Sequence, residues 1–394
     1  MRLALVVQRY GLEVHGGSEY HARVWAERLA QRHTVTVYTT CARDYLTWAD
    51  HYPPGETWLN GVRVLRFRVP EPRDLESFNA FAPLVFWYPH TLADEIEWMR
   101  RGGPYSPDLF AAIATDQDQY DLYIFLTYLY CHSYFGMPAV RHKAVLVPTA
   151  HDEPPIYLGI FRTLFSYPAY IIYNTPTERA FLGQLFELAD TPGSEVGVGV
   201  DLPDLTQPPP PAVPPILLYI GRIHPSKGCD LLYTYAVQYL AERDTDLRVV
   251  LVGRADMELP AHPQIVLAGF VSEAEKQQLL QSCRALVIPS PFESLSIVTL
   301  EAWAAARPVL ANGACQVLRE QVIRSNGGLF YTSYAEFAAC LDLLCTQPQL
   351  AQQLGQQGRQ FVEHYYSWAA VEHRLEAALA AAYQIVHGAS VPSS

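Results

Sequence analysis

Short apolar runs alternate with longer helix-period stretches twice along this 394-residue chain, and a proline-rich segment separates the two series. Such alternation predicts a doubly wound α/β layer, because a buried parallel strand needs a crossover helix before the next strand can pair beside it. In the first series the spacing predicts strands over Leu3–Gln8, Thr34–Tyr38, Val62–Phe67, Leu122–Leu126, Ala144–Val147, Tyr170–Tyr173 and Glu195–Val198. Helical stretches fall over Glu19–Gln31, Pro83–Arg100, His132–Arg141 and Pro176–Phe186. In the second series strands are expected at Ile216–Ile220, Arg248–Val252, Ile265–Leu267, Ala285–Ile288 and Pro308–Leu310. Helices lie between them, near Lys227–Leu240, Glu273–Ser282 and Ser296–Ala306, and the pattern is all helical after Ser333. The stretch PDLTQPPPPAVPP reads as a semi-rigid spacer without helix or central strand. The expected plan is two Rossmann-like domains, 1–203 and 216–366, joined by a spacer over 204–215. A last helix follows over 367–387, and a frayed tail ends the chain.

Composition narrows the function classes. A formal charge of −12 argues against a general nucleic-acid binder and weakens the case for adhesion to an anionic membrane. Peripheral membrane contact is left open but unsupported. Seven scattered cysteines without CxxC pairs fit reduced thiols in a cytoplasm, packed as small hydrophobes. The first apolar run stops at Gln8 and Arg9, so it reads as a strand and not as a signal peptide. No stretch approaches the roughly 20 apolar residues of a membrane span.

The residues with most chemistry are Glu293 and Glu301, in PSPFESLSIVTLEAWAAARPVLAN. The first sits at the C-terminal end of an expected strand, the second inside the next helix, which Pro308 ends. At helical rise they lie roughly 12 Å apart, about the reach from a sugar ring across a diphosphate to a ribose. The N–H groups of a helix N-terminus fall between them. In LLYIGRIHPSKGCDLL, Arg222 follows a strand and Lys227 opens the next expected helix. Two cations there fit a diphosphate, one as a planar fork and one as a point charge. In GLEVHGGSEYH, Gly16 and Gly17 permit close backbone approach, and the helix is expected from Ser18 and Glu19. The pattern is not G-x-G-x-x-G, so a dinucleotide reading is poor. His151 and Asp152 follow a buried strand and precede a Pro-Pro helix start. Asp116 and Asp118 form a D-x-D ahead of a strand and read as a solvated loop, not a metal site. The bland alternatives are ordinary helix caps, a plain strand–helix turn, a surface arginine and a capping loop histidine.

Together these motifs resemble the retaining nucleotide-sugar glycosyltransferases of GT-B fold, family 4. The resemblance rests on F-E-S-x-S-x-x-x-L-E-A-x-A-x-x-x-P-V, on G-R-x-x-x-x-K-G, on G-G-x-E and on the H-D pair. It implies two Rossmann-like domains facing across a cleft, with the last helix crossing back to the first domain. It implies that Glu293 contacts the donor sugar and Glu301 the ribose. The N–H groups of Ser294, Leu295, Ser296, Ile297 and Val298 would hold phosphate and sugar, and Arg222 and Lys227 the leaving diphosphate. His151 would flank the anomeric carbon in a positioning and electrostatic role. With Glu293, Arg222 and Lys227 it makes up the expected catalytic set. Gly16, Gly17, Glu19, His151 and Asp152 would form the acceptor side, with Gly17 also bordering the donor. Backbone groups near Phe270 and Val271, in LAGFVSEAEK, would hold the nucleobase. Arg254 departs from the family's glycine-rich turn, and it is read as a base or phosphate contact or as a solvated side chain. Ala306 stands where the family has glycine, which is read as tighter helix packing. The Trp- and Tyr-rich stretch 45–120 matches no motif.

The expected activity is transfer of a sugar from a nucleotide sugar to an acceptor hydroxyl, without cofactor or metal. The acceptor class (glycan, lipid-linked or small molecule), the nucleotide and the oligomeric state are not legible. A sugar-nucleotide epimerase, a phosphorylase and a catalytically silent sugar-nucleotide-binding scaffold are the alternatives. A two-carboxylate glycoside hydrolase leaves the Arg222 and Lys227 pair without a role.

Overall fold

In the computed structural model, which describes residues 1–14, 16–206 and 210–388, the two alternations fold into two parallel-dominated sheets. One compact unit is Met1–Val196 together with the chain from Arg374 on, and the other is Gly197–His373. The first unit runs β1 (Arg2–Val6), α1 (Gly17–Leu29), β2 (Thr34–Thr40), β3 (Gly55–Leu59), β4 (Val62–Phe67), α2 (Leu75–Trp87), α3 (Leu92–Gly102) and α4 (Pro107–Thr115). It continues with β5 (Leu122–Leu126), α5 (Cys131–Gly136), β6 (Ala144–Val147), α6 (Gly159–Phe165), β7 (Tyr170–Tyr173), α7 (Pro176–Leu185) and β8 (Gly193–Glu195). Its sheet order is β3-β4-β2-β1-β5-β6-β7-β8, with only the edge pair β3/β4 antiparallel. The central strands β5 and β6 are buried along their whole length, as strands covered by helices on both faces must be.

The second unit runs β9 (Ile216–Ile220), α8 (Cys229–Glu242), β10 (Arg248–Val252), β11 (Ile265–Gly269), α9 (Glu273–Ser282), β12 (Ala285–Ile288) and α10 (Ile297–Ala304). Then come β13 (Val309–Asn312), α11 (Gln316–Ser325), β14 (Gly328–Tyr331), α12 (Tyr334–Thr346) and α13 (Pro348–Tyr365). The last helix, α14 (Trp368–His387), begins in this unit and continues into residues of the first. The sheet is parallel throughout, in the order β11-β10-β9-β12-β13-β14. That is the Rossmann order 3-2-1-4-5-6, which reverses direction between its first and fourth strands. The reversal opens a crevice beyond the C-terminal ends of β9 and β12. In the first unit the same reversal falls between β1 and β5.

Several expected elements differ. The helix expected over Pro83–Arg100 is two helices, α2 and α3. Tyr88 precedes Pro89 and is extended, as a pre-proline residue prefers, and Thr91 restarts the chain with a capping box to Asp94. The unexpected strand β3 pairs with β4 through Asn60 and Gly61, both at positive φ, which is an Asn-Gly hairpin turn. The division between units falls at Val196/Gly197 instead of 203/204. The Val200 N–H donates to the Tyr366 carbonyl (2.9 Å), and a Cβ on Gly199 would lie 2.4 Å from the Trp368 ring, so this segment packs with the second unit. Residues 207–209 of the expected spacer and residues 389–394 of the expected frayed tail lie outside the described residues. The end of the spacer joins the second unit, with the Ala212 N–H on the Ser282 carbonyl at 3.0 Å. All seven cysteines are free. Among the described residues no helix is long and apolar enough to cross a membrane.

Candidate active site

The crevice of the second unit is built first from glycines. β9 ends at Ile220, and Gly221 turns the chain at φ +155°. Gly253, after β10, has φ +133°, and a Cβ there would lie 2.0 Å from the Gly221 carbonyl oxygen. No other residue type allows this approach, which brings the two loops together. The Ile223 N–H donates to the Arg254 carbonyl and the Asp256 N–H to the Ile223 carbonyl, each at 2.9 Å. Arg254 is itself engaged, with Nε 2.7 Å from an Asp256 carboxylate oxygen.

Arg222 extends from this braced loop, with Nη2 3.1 Å from Ser226 Oγ. Lys227 does not open the helix as expected. It ends a single 3-10 turn, Pro225–Lys227, and α8 starts only after Gly228 at φ +71°. A Cβ on Gly228 would lie 2.3 Å from the Pro289 carbonyl oxygen, so this turn is pressed against the chain leaving β12. The result carries Lys227 to the second strand end, where Nζ lies 2.7 Å from Glu293 Oε1.

Between Glu293 and Glu301 only the last part is helical. Ser296, the residue before α10, has φ +62°, and its hydroxyl pairs with Thr299 Oγ1 at 2.9 Å without capping a backbone N–H. The helical rise assumed for the whole 293–301 interval therefore applies only from Ile297. The first turn of α10 has no side-chain cap; the Thr299 N–H donates to the Ser296 carbonyl at 3.1 Å, and the N–H groups ahead of it have no intrahelical acceptor. α10 ends at Ala304, and Ala306 sits at φ +54°. The glycine of the related motif is thus explained by a left-handed turn, not by helix packing.

Glu301 is held by a residue that sequence reasoning did not select. Lys276, in the first turn of α9, places Nζ 2.9 Å from Glu301 Oε1 and 3.0 Å from Glu273 Oε1. Burial pushes the Glu301 carboxyl up and Lys276 pulls it back, with a net upward shift. Burial lowers Lys276, but Glu301 and then Glu273 outweigh it, so the ammonium is held charged. Phe270 is 64% exposed and Val271 half-buried, on the loop between β11 and α9.

In the first unit, the loop after β1 leads through Gly16 into α1, which begins at Gly17, slightly earlier than expected. A Cβ on Gly16 would lie 2.2 Å from a Glu19 carboxylate oxygen, whereas one on Gly17 would meet nothing within 4 Å. Close packing is therefore confined to Gly16. Glu19 is buried and locked in an ion pair with Arg9, and it also accepts from Ser18 Oγ at 2.9 Å. This carboxylate braces the loop.

His151 lies past β6. The turn before it contains Thr149 at φ +51°, and Thr127, past β5, stands at φ +66°. Left-handed threonines are strained, and here both end strands bordering a crevice. His151 Nδ1 lies 3.3 Å from Glu153 Oε1, a close electrostatic contact that is not aligned as a hydrogen bond. The Tyr128 hydroxyl donates to the same oxygen at 2.9 Å. Beneath this loop, Glu178 accepts from the Ala150 N–H (2.5 Å) and the Asn174 N–H (2.6 Å), tying the ends of β6 and β7 together. Asp152 accepts from the Tyr157 hydroxyl at 2.6 Å. Asp116 takes hydrogen bonds from Tyr38 (2.5 Å) and Gln119 (2.7 Å), while the Asp118 side chain is solvated.

Residues 214–347 match the family model for glycosyl transferases group 1. This match falls within the second unit. D-inositol 3-phosphate glycosyltransferase of Kineococcus radiotolerans is 31% identical over 224 residues, which is 50% of this chain and 51% of that protein. Alpha-D-kanosaminyltransferase of Streptomyces kanamyceticus is 27% identical over 173 residues, covering 41% and 44%. The chain thus spans about half the length of the curated relatives it matches. Among solved structures, sucrose-phosphate synthase of Thermosynechococcus elongatus has a TM-score of 0.68 at 17% identity, covering 97% of this chain and 100% of that one. HepE of Anabaena, solved in complex with UDP-glucose, has a TM-score of 0.66 at 15% identity with the same coverage. These likenesses extend over both units and give the fold as GT-B.

Within the second unit, the structure brings Arg222, Lys227, Glu293, Ser296 and the start of α10 to one crevice edge. It adds Lys276, and it pairs Arg254 with Asp256 on the loop after β10. Lys276 escaped notice because its partner is 25 residues away and meets it only through α9–α10 packing. Tyr128 and Glu178 escaped for the same reason, with partners 25 and 28 residues away. Each acts on a neighbouring strand end, and no local spacing announces it.

Proposed function

We propose that this chain is a retaining, metal-independent glycosyltransferase that moves a sugar from a nucleotide sugar to an acceptor hydroxyl. The observation that carries the reading is the pair of lysine-held carboxylates, Lys227–Glu293 and Lys276–Glu301, on either side of the uncapped N-terminus of α10. A nucleotide sugar has an anionic centre between two hydroxyl-rich ends. The helix N-terminus, Arg222 and Lys227 match the diphosphate, and the two carboxylates match the sugar and ribose hydroxyls. As the sugar departs, negative charge grows on the diphosphate, and the two cations with the helix N–H groups stabilise it. Lys227 is then shared between Glu293 and phosphate, so Glu293 gains acceptor capacity for the sugar. Backbone groups at Phe270 and Val271 take the base. In the first unit, Gly16, Gly17, His151 and Asp152 line the corresponding strand ends and serve the acceptor. Glu19 supports them through Arg9.

The test is a thermal-shift screen, in EDTA, of UDP, ADP and GDP and their glucose conjugates. UDP-glucose comes first because HepE was solved with it. A ligand at a hundredfold excess over Kd stabilises by about 2.7 kcal/mol, a shift of several degrees. The expected result is a shift with one nucleotide family, reduced at least tenfold in affinity by Arg222→Ala and Glu301→Ala. Turnover of that donor with a panel of glycan, lipid-linked and small hydroxyl acceptors, read by product anomeric configuration, tests retention. Donor binding without transfer or slow hydrolysis supports a silent scaffold. Epimerised nucleotide sugar without acceptor supports an epimerase, and a requirement for free phosphate a phosphorylase. A folded protein that responds to no nucleotide overturns the proposal.

A further inference from the structure

Both carboxylates of the site are lysine-held, but the second pair is the more enclosed. The side chains of Lys276 and Glu301 are 19% and 16% exposed, whereas Lys227 is 34% exposed. Lys276 engages Oε1 of Glu301 from the neighbouring helix. An ionised carboxylate accepts only, with about four lone-pair sites on its two oxygens, and a protonated one exposes a donor. Its charge state therefore decides whether it takes two hydroxyls at once.

The groups facing Glu301 divide unevenly. Lys276 and Glu273 approach from α9, and Asp201 from the segment ahead of the spacer. Arg359 of α13 is engaged by the Ala304 and Pro203 carbonyls and by Glu363. Two carboxylates and burial thus oppose ionisation, and Lys276 alone favours it. Glu301 lies one turn beyond Ile297, roughly 6 Å along the axis from the helix start, which suits a ribose whose diphosphate sits on that start.

We propose that Lys276 is a positioning residue for a ribonucleoside: it holds Glu301 ionised and fixes one oxygen, so that the remaining acceptor sites take the 2′- and 3′-hydroxyls of a ribose. The inference rests on the donor-binding reading of the second unit. It adds that ribose over deoxyribose discrimination resides in a contact between α9 and α10, not in Glu301 alone.

The experiment is calorimetric titration of the full chain with UDP, ADP and GDP and their 2′-deoxy counterparts. Wild type is expected to prefer the ribose form of its nucleotide at least tenfold. Lys276→Met lowers the preference to within about threefold, weakening the ribose form far more than the deoxy form, which keeps only its 3′-hydroxyl contact, and Lys276→Arg retains most of the preference. In K276M the affinity for the ribose form falls on acidification with a higher midpoint than in wild type. A merely structural lysine would weaken both forms equally. Retained tenfold preference in K276M, equal binding of both forms by wild type, or tighter ribose binding in K276M overturns the proposal. The last would make Lys276 a competitor for the carboxylate. If K276M does not fold, Lys276→Gln is judged by the same ratio. A wild type that binds no nucleotide at all refutes the donor reading itself, a result distinct from a failure of Lys276.

Discussion

Glu178 is nearly inaccessible, yet its carboxyl organises the loop that carries His151. Burial pushes its pKa up to about 8, against the backbone N–H groups of Asn174, Ala150 and Thr175, which pull it down. The unfolded chain releases this proton near the ordinary value of about 4.3, well before the folded state does. Between those values the folded state binds more protons, so its contribution to stability is whole below the lower value and is lost as pH rises through about 8. Glu178→Gln removes that dependence. Its melting temperature, relative to wild type, is expected to climb from pH 5 to pH 8.5. Parallel melting curves for the two proteins across that range would refute the assignment. None of this was legible in YNTPTERAFL, where Glu178 reads as an ordinary first-turn acid after the Thr175 cap. Its burial follows from the ends of β6 and β7 closing over it. Arg222 and Glu293 past strand ends and Glu301 inside the next helix follow from the local pattern, whereas Lys227 was expected to open a helix that starts only after Gly228.

Elements followed the sequence where pattern and capping agreed. Parallel strands such as β9 and β12 were placed residue for residue, since continuous apolar runs mark strands buried on both faces. The errors cluster where one residue type overrides periodicity. Pro89 splits an apparent single helix, the Asn60–Gly61 turn creates a solvated edge strand without apolar alternation, and Gly228 delays α8 by two residues. Ala306 is the sharpest case. It holds a left-handed conformation that costs a Cβ-bearing residue about 1–2 kcal/mol, while glycine adds about 0.4–1 kcal/mol of unfolded-state entropy. The difference predicts that Ala306→Gly stabilises the second unit by about 0.5–1 kcal/mol, or roughly 1–4 °C. Denaturant melts followed by Trp303 fluorescence measure this directly, because Trp303 is fully buried in α10 and donates to the Gly327 carbonyl at 2.7 Å. A destabilised A306G variant would mean that the Ala306 methyl contributes more by packing than the strain it causes.

At the scale of the whole molecule, α14 belongs by sequence to the end of the second unit and by packing mostly to the first. From Arg374 on it is tied into the first unit. Arg374 donates to the Val196 carbonyl (2.9 Å), Glu376 accepts from His33 (2.9 Å), and His387 reaches the Asp121 carbonyl (3.1 Å). Leu375, Ala378, Leu379 and Ala382 are buried along the same stretch, on the spacing of one helix face. Burying a leucine is worth about 1.5–3 kcal/mol, so the two leucines and two alanines outweigh the partly exposed ion pairs, each worth about 0–1 kcal/mol. Truncation after His373 is therefore expected to destabilise the first unit by several kcal/mol and to leave the donor site largely intact, since every residue assigned to the nucleotide lies outside the deleted stretch. Hydrogen exchange should show faster exchange in β1, β2 and β5, with β9, β10 and β12 protected as in the full chain. The same truncated protein should keep the thermal shift of its second unit with the nucleotide found for wild type. Loss of that shift, with β9 and β12 still protected, would mean that nucleotide binding depends on the first unit, and would move the donor site beyond the second unit's own residues.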